Sequence, residues 1–532
     1  MIERLVENWL TKVNEKSFQI PFCQMLTAEG YRVVHLARHG SFEEGKDVLA
    51  IMPDGTPCAF QLKGSSSGKI AQREWGKYVD QVNRLVEIPI KHPSVDEKLA
   101  RRVFFVTNGE LDEEVRVEIV NRNSDWKRRG HPELEVIVKG DLLARFIKLQ
   151  DDLWPLHLSF EKELLEFYMA DGHGYLDKPK FAAFIESLLI RDDLSRAEIS
   201  RRLASSAIFG AYALSPFADL DNHVALIEGW VIYLASIIAL AEKKDIPTQN
   251  WEDQANLALQ AIENNLADLS DELEETKYFV AGNSLVDAPF YRGRLTWLIS
   301  LMCVHSIWKK RVQPDWQPEV WVNGFVLNNL SRLELWGEAA TPQFLAVIWW
   351  LDTMQLEHLA DRILFEMVKG IVGVHRKGAG LSDPYHHLGE VVMMRQGMIE
   401  TVRPENFKGR SYVLESLIEL LVRRGWRGAL AEIWKPITAI HYALFEPDSS
   451  SQYCLWHCED GKMYITIPKS PQSWHELQEK ASTCNLTKIP EFLQNNPEIL
   501  MLFLIVYPHR IQTDVVKYLD GIYYSDKHPP AV

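Results

Sequence analysis

Asp47, Gln61 and Lys63 lie on either side of a turn whose residue types would bring them together. Asp47 heads the apolar run Val48-Leu49-Ala50-Ile51, and Pro53-Asp54-Gly55-Thr56 carries the turn. A second apolar run then ends in Gln61-Leu62-Lys63. Proline presets φ at the first turn position, and glycine tolerates the positive φ that follows. The pattern predicts a hairpin, which returns the chain to its starting end and so brings Asp47 near Lys63. Alternation along a strand sends Gln61 and Lys63 to the same face. A carboxylate, an amide oxygen and an ammonium at one end of a hairpin suit metal-assisted attack on a phosphodiester. Asp47 and the backbone carbonyl of Leu62 would hold a hard divalent cation, and Lys63 would orient or polarise a water. An Asp ahead of a strand also serves as a cap, and a strand-end Lys as solvated surface. Spacing alone leaves both readings open.

The surroundings supply further candidates. Glu43 and Glu44 lie just upstream, and Glu44 is a candidate additional ligand, although an acidic pair beside a glycine is also ordinary loop. Gly64-Ser65-Ser66-Ser67-Gly68-Lys69 is a small-residue loop leading to a helix with Arg73 and Lys77. Such a loop can approach a phosphate backbone with its amides, so Ser65, Lys69, Arg73 and Lys77 are candidate nucleic-acid contacts. A plain connector is the competing reading. Gln81, one turn beyond Lys77, is a weaker candidate to face the site.

The elements that must position these residues follow in a recognisable order. Phe18 to Glu29 reads as a helix, Gly30-Tyr31-Arg32-Val33-Val34 as a first strand, and Asp47 opens the second. Arg102-Val103-Phe104-Phe105-Val106-Thr107-Asn108-Gly109 reads as a later core strand, followed by a charged helix from Asp112 to about Asn123. The strand Leu134 to Val138 and Gly140-Asp141-Leu142-Leu143, a helix start, complete the set. This front third resembles the PD-(D/E)XK nuclease superfamily, and within it the Mrr-like restriction-endonuclease branch, with Gln61-Leu62-Lys63 as a variant of the Glu-x-Lys motif. The resemblance implies a restriction-endonuclease-like α/β domain, a mixed sheet flanked by helices, that cuts DNA with Mg²⁺ or Mn²⁺. In that scheme Asp47 binds the metal, Gln61 supports it or its water, and Lys63 stabilises charge on the hydroxide or scissile phosphate. The branch often carries a Glu near the start of the first helix; the matching place here is Gln19. With Gln61 also neutral, Asp47 is left as the one certain carboxylate. The resemblance further implies an anti-phage or restriction role.

Charge is unevenly distributed. The net charge is −15 over 532 residues, yet residues 1–150 hold 23 basic and 22 acidic side chains, whereas the rest hold 35 and 51. DNA affinity comes mainly from phosphate neutralisation, which assigns DNA contact to the front third. The acidic remainder suits a partner protein or copies of the same chain. Six cysteines give no disulfide framework. The chain opens on an amphipathic helix rather than a signal peptide, which predicts a cytoplasmic protein. Val224 to Ala241 is apolar enough to test as a membrane span, but it includes Glu228 and Gly229 and reads as a buried core helix.

Behind the α/β domain, expected over residues 1–150, helical periodicity dominates. Helical domains are expected over 155–312 and 313–532, the second with a small β-hairpin near 453–467 around Asp460-Gly461. The chain has 17 tryptophans; Trp349 and Trp350 are adjacent, with Trp316, Trp321 and Trp336 nearby, and this cluster reads as core. His375 to His387 includes Arg376, Lys377 and His386 among glycines, a possible phosphate or nucleotide loop, or else an interhelical connection. Two alternatives to a DNA nuclease stay open: a catalytically degenerate DNA-binding module, and a ribonuclease using the same residues.

Overall fold

The computed structural model describes residues 2–36, 45–65, 67–96, 99–150, 158–189, 196–276, 288–317, 320–398, 409–447, 461–484, 486 and 489–524. These fall into two compact units, Met1–Asn265 and Leu266–Val532.

The front unit begins with α1 (Ile2–Lys12) and α2 (Glu15–Ala28), then β1 (Arg32–Leu36), β2 (Val48–Ile51) and β3 (Pro57–Lys63). Next come β4 (Lys69–Ile70), α3 (Gln72–Glu87), β5 (Arg102–Thr107), β6 (Glu110–Leu111), α4 (Glu113–Arg128), β7 (Leu134–Ile137) and α5 (Lys139–Gln150). Five strands form one mixed sheet in the order β1-β2-β3-β5-β7. β1, β2 and β3 pair antiparallel, while β3-β5 and β5-β7 pair parallel. The expected hairpin is present, with Val48 opposite Phe60 and Ile51 opposite Pro57. Its turn is closed by Met52 N–H to the Thr56 carbonyl at 2.9 Å, and Gly55 takes the positive φ of 89°. Parallel strands need helical crossovers, and these bury both faces of the sheet. β3 and β5 are accordingly near-continuous apolar runs. Ala59, Val103 and Phe105 point to a core shared with Trp75 and Val82 of α3 and Val115 and Ile119 of α4. On the other face Phe60 stacks on Phe104 at 4.8 Å and meets Phe22 of α2 at 5.4 Å.

Four more helices, α6 (Leu158–Tyr168), α7 (Lys178–Leu189), α8 (Arg196–Ala218) and α9 (His223–Lys244), and α10 (Glu252–Thr276) as far as Asn265 complete this unit. The expected border at residue 150 is crossed by packing. Trp9 meets Tyr212 of α8 with ring centroids 4.6 Å apart, Ser205 Oγ donates to the Leu149 carbonyl at 3.0 Å, and Gln24 Nε2 donates to the Gln254 carbonyl at 3.4 Å. The helices form a layer against the α/β layer rather than a separate body, and the structure divides within α10 instead of at 150 and 312. α9 is apolar all round, as a buried helix is. Among the described residues it alone is long and apolar enough to cross a membrane, and 94% of its most apolar window is buried inside the protein.

The rear unit is mostly helical: α11 (Ala288–Val312), α12 (Val320–Asn329), α13 (Thr341–Thr353), α14 (Glu357–Arg376) and α15 (Leu388–Arg395). It continues through β8 (Arg410–Ser411), α16 (Leu414–Arg423), α17 (Arg427–Ile437), β9 (His441–Pro447) and β10 (Gly461–Thr466). It ends with α18 (Trp474–Ser482), α19 (Glu491–Asn495), α20 (Pro497–Val506) and α21 (Thr513–Tyr523). The strand expected after Asp460-Gly461 exists as β10, but its partner is β9, with Gly461 opposite Pro447. The intended first strand of that hairpin, from Tyr453, lies outside the described residues. Trp336, Trp349 and Trp350 are buried, as core side chains would be. Inside, Arg424 donates to Asp352 Oδ2 at 2.7 Å, Asp361 Oδ1 at 3.0 Å and Asp520 Oδ1 at 2.6 Å. The indole of Trp426 donates to Asp361 and that of Trp349 to Asp520. This network ties α13, α14 and α21 to the end of α16.

Candidate functional site

The site forms where β3 ends, between the start of α2 and the flank of α3. The β2-β3 register carries Asp47 up to Gln61, and the Asp47 N–H donates to the Phe60 carbonyl at 2.8 Å. Asp47 Oδ2 then accepts from Gln61 Nε2 and from the Leu62 N–H, both at 2.6 Å. Both side chains are buried, with residue exposures of 5% for Asp47 and 2% for Gln61. In an extended strand a residue's N–H and C=O leave the backbone on the same edge. The Leu62 carbonyl therefore faces the Asp47 side of β3. Gln61 Oε1 is buried and has no hydrogen-bond partner among the described residues. An unsatisfied buried acceptor costs about 1–3 kcal/mol, so this oxygen is a natural cation ligand.

Lys63 points to the same face as Gln61 but spends its ammonium elsewhere. Its Nζ lies 2.9 Å from Glu15 Oε1 and 5.8 Å from the centre of the Tyr78 ring. The two side chains keep exposures of 11% and 25%, so the pair stays within reach of solvent. Glu15 is the first residue of α2, where the helix dipole favours a negative charge, and Asn14 caps the helix by accepting from the Ser17 N–H. Glu15 thus places a carboxylate one turn before Gln19. Gln19 instead donates to the Asp47 backbone carbonyl at 3.3 Å. Sequence reading started this helix at Phe18 and missed Glu15; the Asn14-Glu15 pair, a cap followed by an acid, was the available signal.

Further residues shape the site. At Gly45 (φ 75°) a Cβ would overlap the Gln81 carbonyl oxygen and press on the Leu85 nitrogen of α3, so only glycine lets the chain enter β2 there. Gly64 brings the end of β3 against α2, its virtual Cβ 3.3 Å from the Glu15 nitrogen. Asn108, just after β5, bonds to the loops on both sides of the Glu15–Lys63 pair. Lys46, beside Asp47, is buried as well.

The structure separates the remaining candidates. Ser65, expected along a phosphate backbone, is buried, and its amide donates to Asn108 Oδ1 at 2.7 Å. It is therefore not turned outward. Lys69 is largely exposed and pairs with Asp112. Arg73 and Lys77 are exposed on α3. Glu44, like Glu43, lies outside the described residues.

In the rear unit Arg376 ends α14 and Lys377 caps it, where positive charge complements the carbonyl-rich helix end. His386 Nδ1 sits 2.7 Å from Asp383 Oδ1, and that bond raises the imidazole pKa. His387 and Glu390 form a capping box on α15. Among the described residues no group of three or more His, Cys, Asp or Glu side chains is placed to hold a metal ion. Among the described residues, the front site offers a metal Asp47 together with amide and backbone oxygens.

The chain matches no protein-family model, no curated protein and no solved structure. The case for function rests on the residues themselves.

Proposed function

We propose that the front unit is a divalent-metal-dependent endonuclease of restriction-endonuclease-like fold that cleaves DNA phosphodiester bonds. The observation that carries this reading is the convergence of two polar pairs at the end of β3. Asp47 is held by Gln61 and the Leu62 amide, with Gln61 Oε1 unpartnered among the described residues, and Lys63 is held by Glu15. The oxygens of Asp47, Gln61 and Leu62 suit a hard cation such as Mg²⁺ or Mn²⁺. When bound, such an ion supplies Lewis-acid activation of water and of the scissile phosphate. Lys63, held in place by Glu15, would stabilise charge developing on the phosphate. Exposed Arg73 and Lys77 would bind the DNA backbone. By analogy with Mrr-like nucleases, the activity would serve anti-phage defence or restriction in the cytoplasm. The acidic rear unit would act through a partner protein or a second copy of the chain.

A plasmid-cleavage assay with Mg²⁺ or Mn²⁺ tests this, comparing wild type with Asp47→Ala and Lys63→Ala. Cleavage by wild type alone supports the proposal. Equal behaviour of all three proteins, with DNA binding retained, would instead favour a degenerate DNA-binding module. The absence of a three-group metal cluster among the described residues favours that second reading. A labelled RNA in parallel distinguishes a ribonuclease.

A further inference from the structure

Asn108 follows β5, and the parallel register sets Thr107 beside Lys63. Its residue exposure is only 3%, and its amide spends three hydrogen bonds on the backbone of two separate segments. Oδ1 accepts from the Ser65 N–H at 2.7 Å, two residues past Lys63. Nδ2 donates to the Leu10 carbonyl at 2.9 Å and the Val13 carbonyl at 3.0 Å, at the turn that leads into Asn14 and Glu15. One side chain therefore bridges the strand end carrying Lys63 and the helix start carrying Glu15. Gly64 closes the same gap by backbone approach to Glu15. Neighbouring groups hold Asn108 in register: the Gly109 N–H donates to Thr107 Oγ1 at 3.1 Å, and a Cβ on Gly109 would strike the Ser65 side chain.

We propose that Asn108 is a positioning residue that fixes Glu15 against Lys63, and thereby sets the orientation of the Lys63 ammonium. Its effect on cleavage rests on the nuclease reading; its effect on the Glu15–Lys63 pair does not. The geometry needs an amide, because one end must accept while the other donates twice. An aspartate of the same size keeps the acceptor toward Ser65 but turns carboxylate oxygen toward two carbonyls. An alanine removes both ties.

The experiment uses the full-length chain, with Asn108→Asp and Asn108→Ala compared with wild type. Lysine accessibility is read by limited reductive dimethylation and mass spectrometry, alongside plasmid cleavage and a melting curve. Lys77 and Lys91, both exposed, serve as internal controls. Modification of Lys63 should rise about 5-fold or more in both variants, with the controls unchanged, as expected for a loss of buried hydrogen bonds. Cleavage should fall roughly 10-fold to 100-fold in kcat with KM for DNA nearly constant, because a small misplacement of a charge-stabilising group acts on the chemical step. Wild-type levels of Lys63 modification in a folded variant would overturn the proposal, whether or not the protein cleaves DNA. So would uniform labelling of every lysine, which marks Asn108 as a general stabiliser. If Lys63 becomes accessible in the variants while wild type cleaves no nucleic acid, the positioning role stands and the nuclease reading falls.

Discussion

The two units bury charge with different access to solvent. In the rear unit the Arg424 side chain is enclosed among Asp352, Asp361 and Asp520, each bonded to the guanidinium. The Trp426 indole satisfies Asp361 Oδ2, while the Trp349 indole shares Asp520 Oδ1 with Arg424 and Asp520 Oδ2 has no hydrogen-bond partner among the described residues. In the front unit Asp47 and Gln61 are equally deep, and Gln61 Oε1 has no partner among the described residues, yet the Glu15–Lys63 pair stays in touch with solvent. A network sealed from solvent couples helices and makes their separation costly. A half-open one keeps polar atoms ready for a ligand. Both units leave a buried oxygen without a partner among the described residues, so what sets the front pairs apart is the solvent contact of Glu15 and Lys63.

Removing the rear cation should have the largest effect. Arg424→Ala strands three carboxylates in the interior and should destabilise the rear unit by about 3–5 kcal/mol, read from chemical denaturation. A variant with wild-type stability would erase the contrast drawn above. At the front, Glu15→Gln should leave the fold intact and lower cleavage by about 100-fold, near 2.7 kcal/mol of barrier. Unchanged rates would show that Glu15 serves only the helix start and its pair with Lys63. Gly45→Ala should cost about 1–3 kcal/mol by overpacking against α3, with cleavage falling beyond what the lost stability explains.

A pH effect distinguishes the units next. Burial pushes Glu338 from an ordinary 4.5 up to about 8, against hydrogen bonding that acts to lower it, including the Tyr412 amide, and with nearby Asp383 raising it further. The folded state then holds this proton more tightly than the unfolded chain does. Its contribution is complete below about pH 4.5 and is lost as pH rises through 8. Melting of the rear unit should decline from pH 5 to 9, and Glu338→Gln should flatten that slope. The smallest effect belongs to the hairpin turn: Gly55→Ala, at positive φ in open space, should cost about 1 kcal/mol in thermal unfolding.

The β2-β3 hairpin was legible in the sequence because its information is local. Proline, aspartate and glycine specify the turn, and the register then delivers Asp47 to Gln61. The mixed sheet and its helices were legible for a similar reason, since each element has its own periodicity and punctuation. Glu15 was not legible as Lys63's partner because the two are 48 residues apart, and only the folded approach of Gly64 to α2 joins them. The outward role expected for Ser65 failed because a distant side chain, Asn108, claims its amide. The strand β10 was anticipated but its partner was not, since pairing with β9 spans a long connection rather than a tight turn. Borders at 150 and 312 followed composition, whereas the division of the protein follows packing.

The stitching of α8 onto α1, α2 and α5 bears on how this architecture can be inherited or engineered. A front piece ending at Gln150 would expose Trp9 and the apolar surface now covered by Tyr212 and its neighbours. Such a piece would tend to aggregate rather than travel as an independent cassette. Recombination that transplants the α/β layer must bring the helices up to α10 with it.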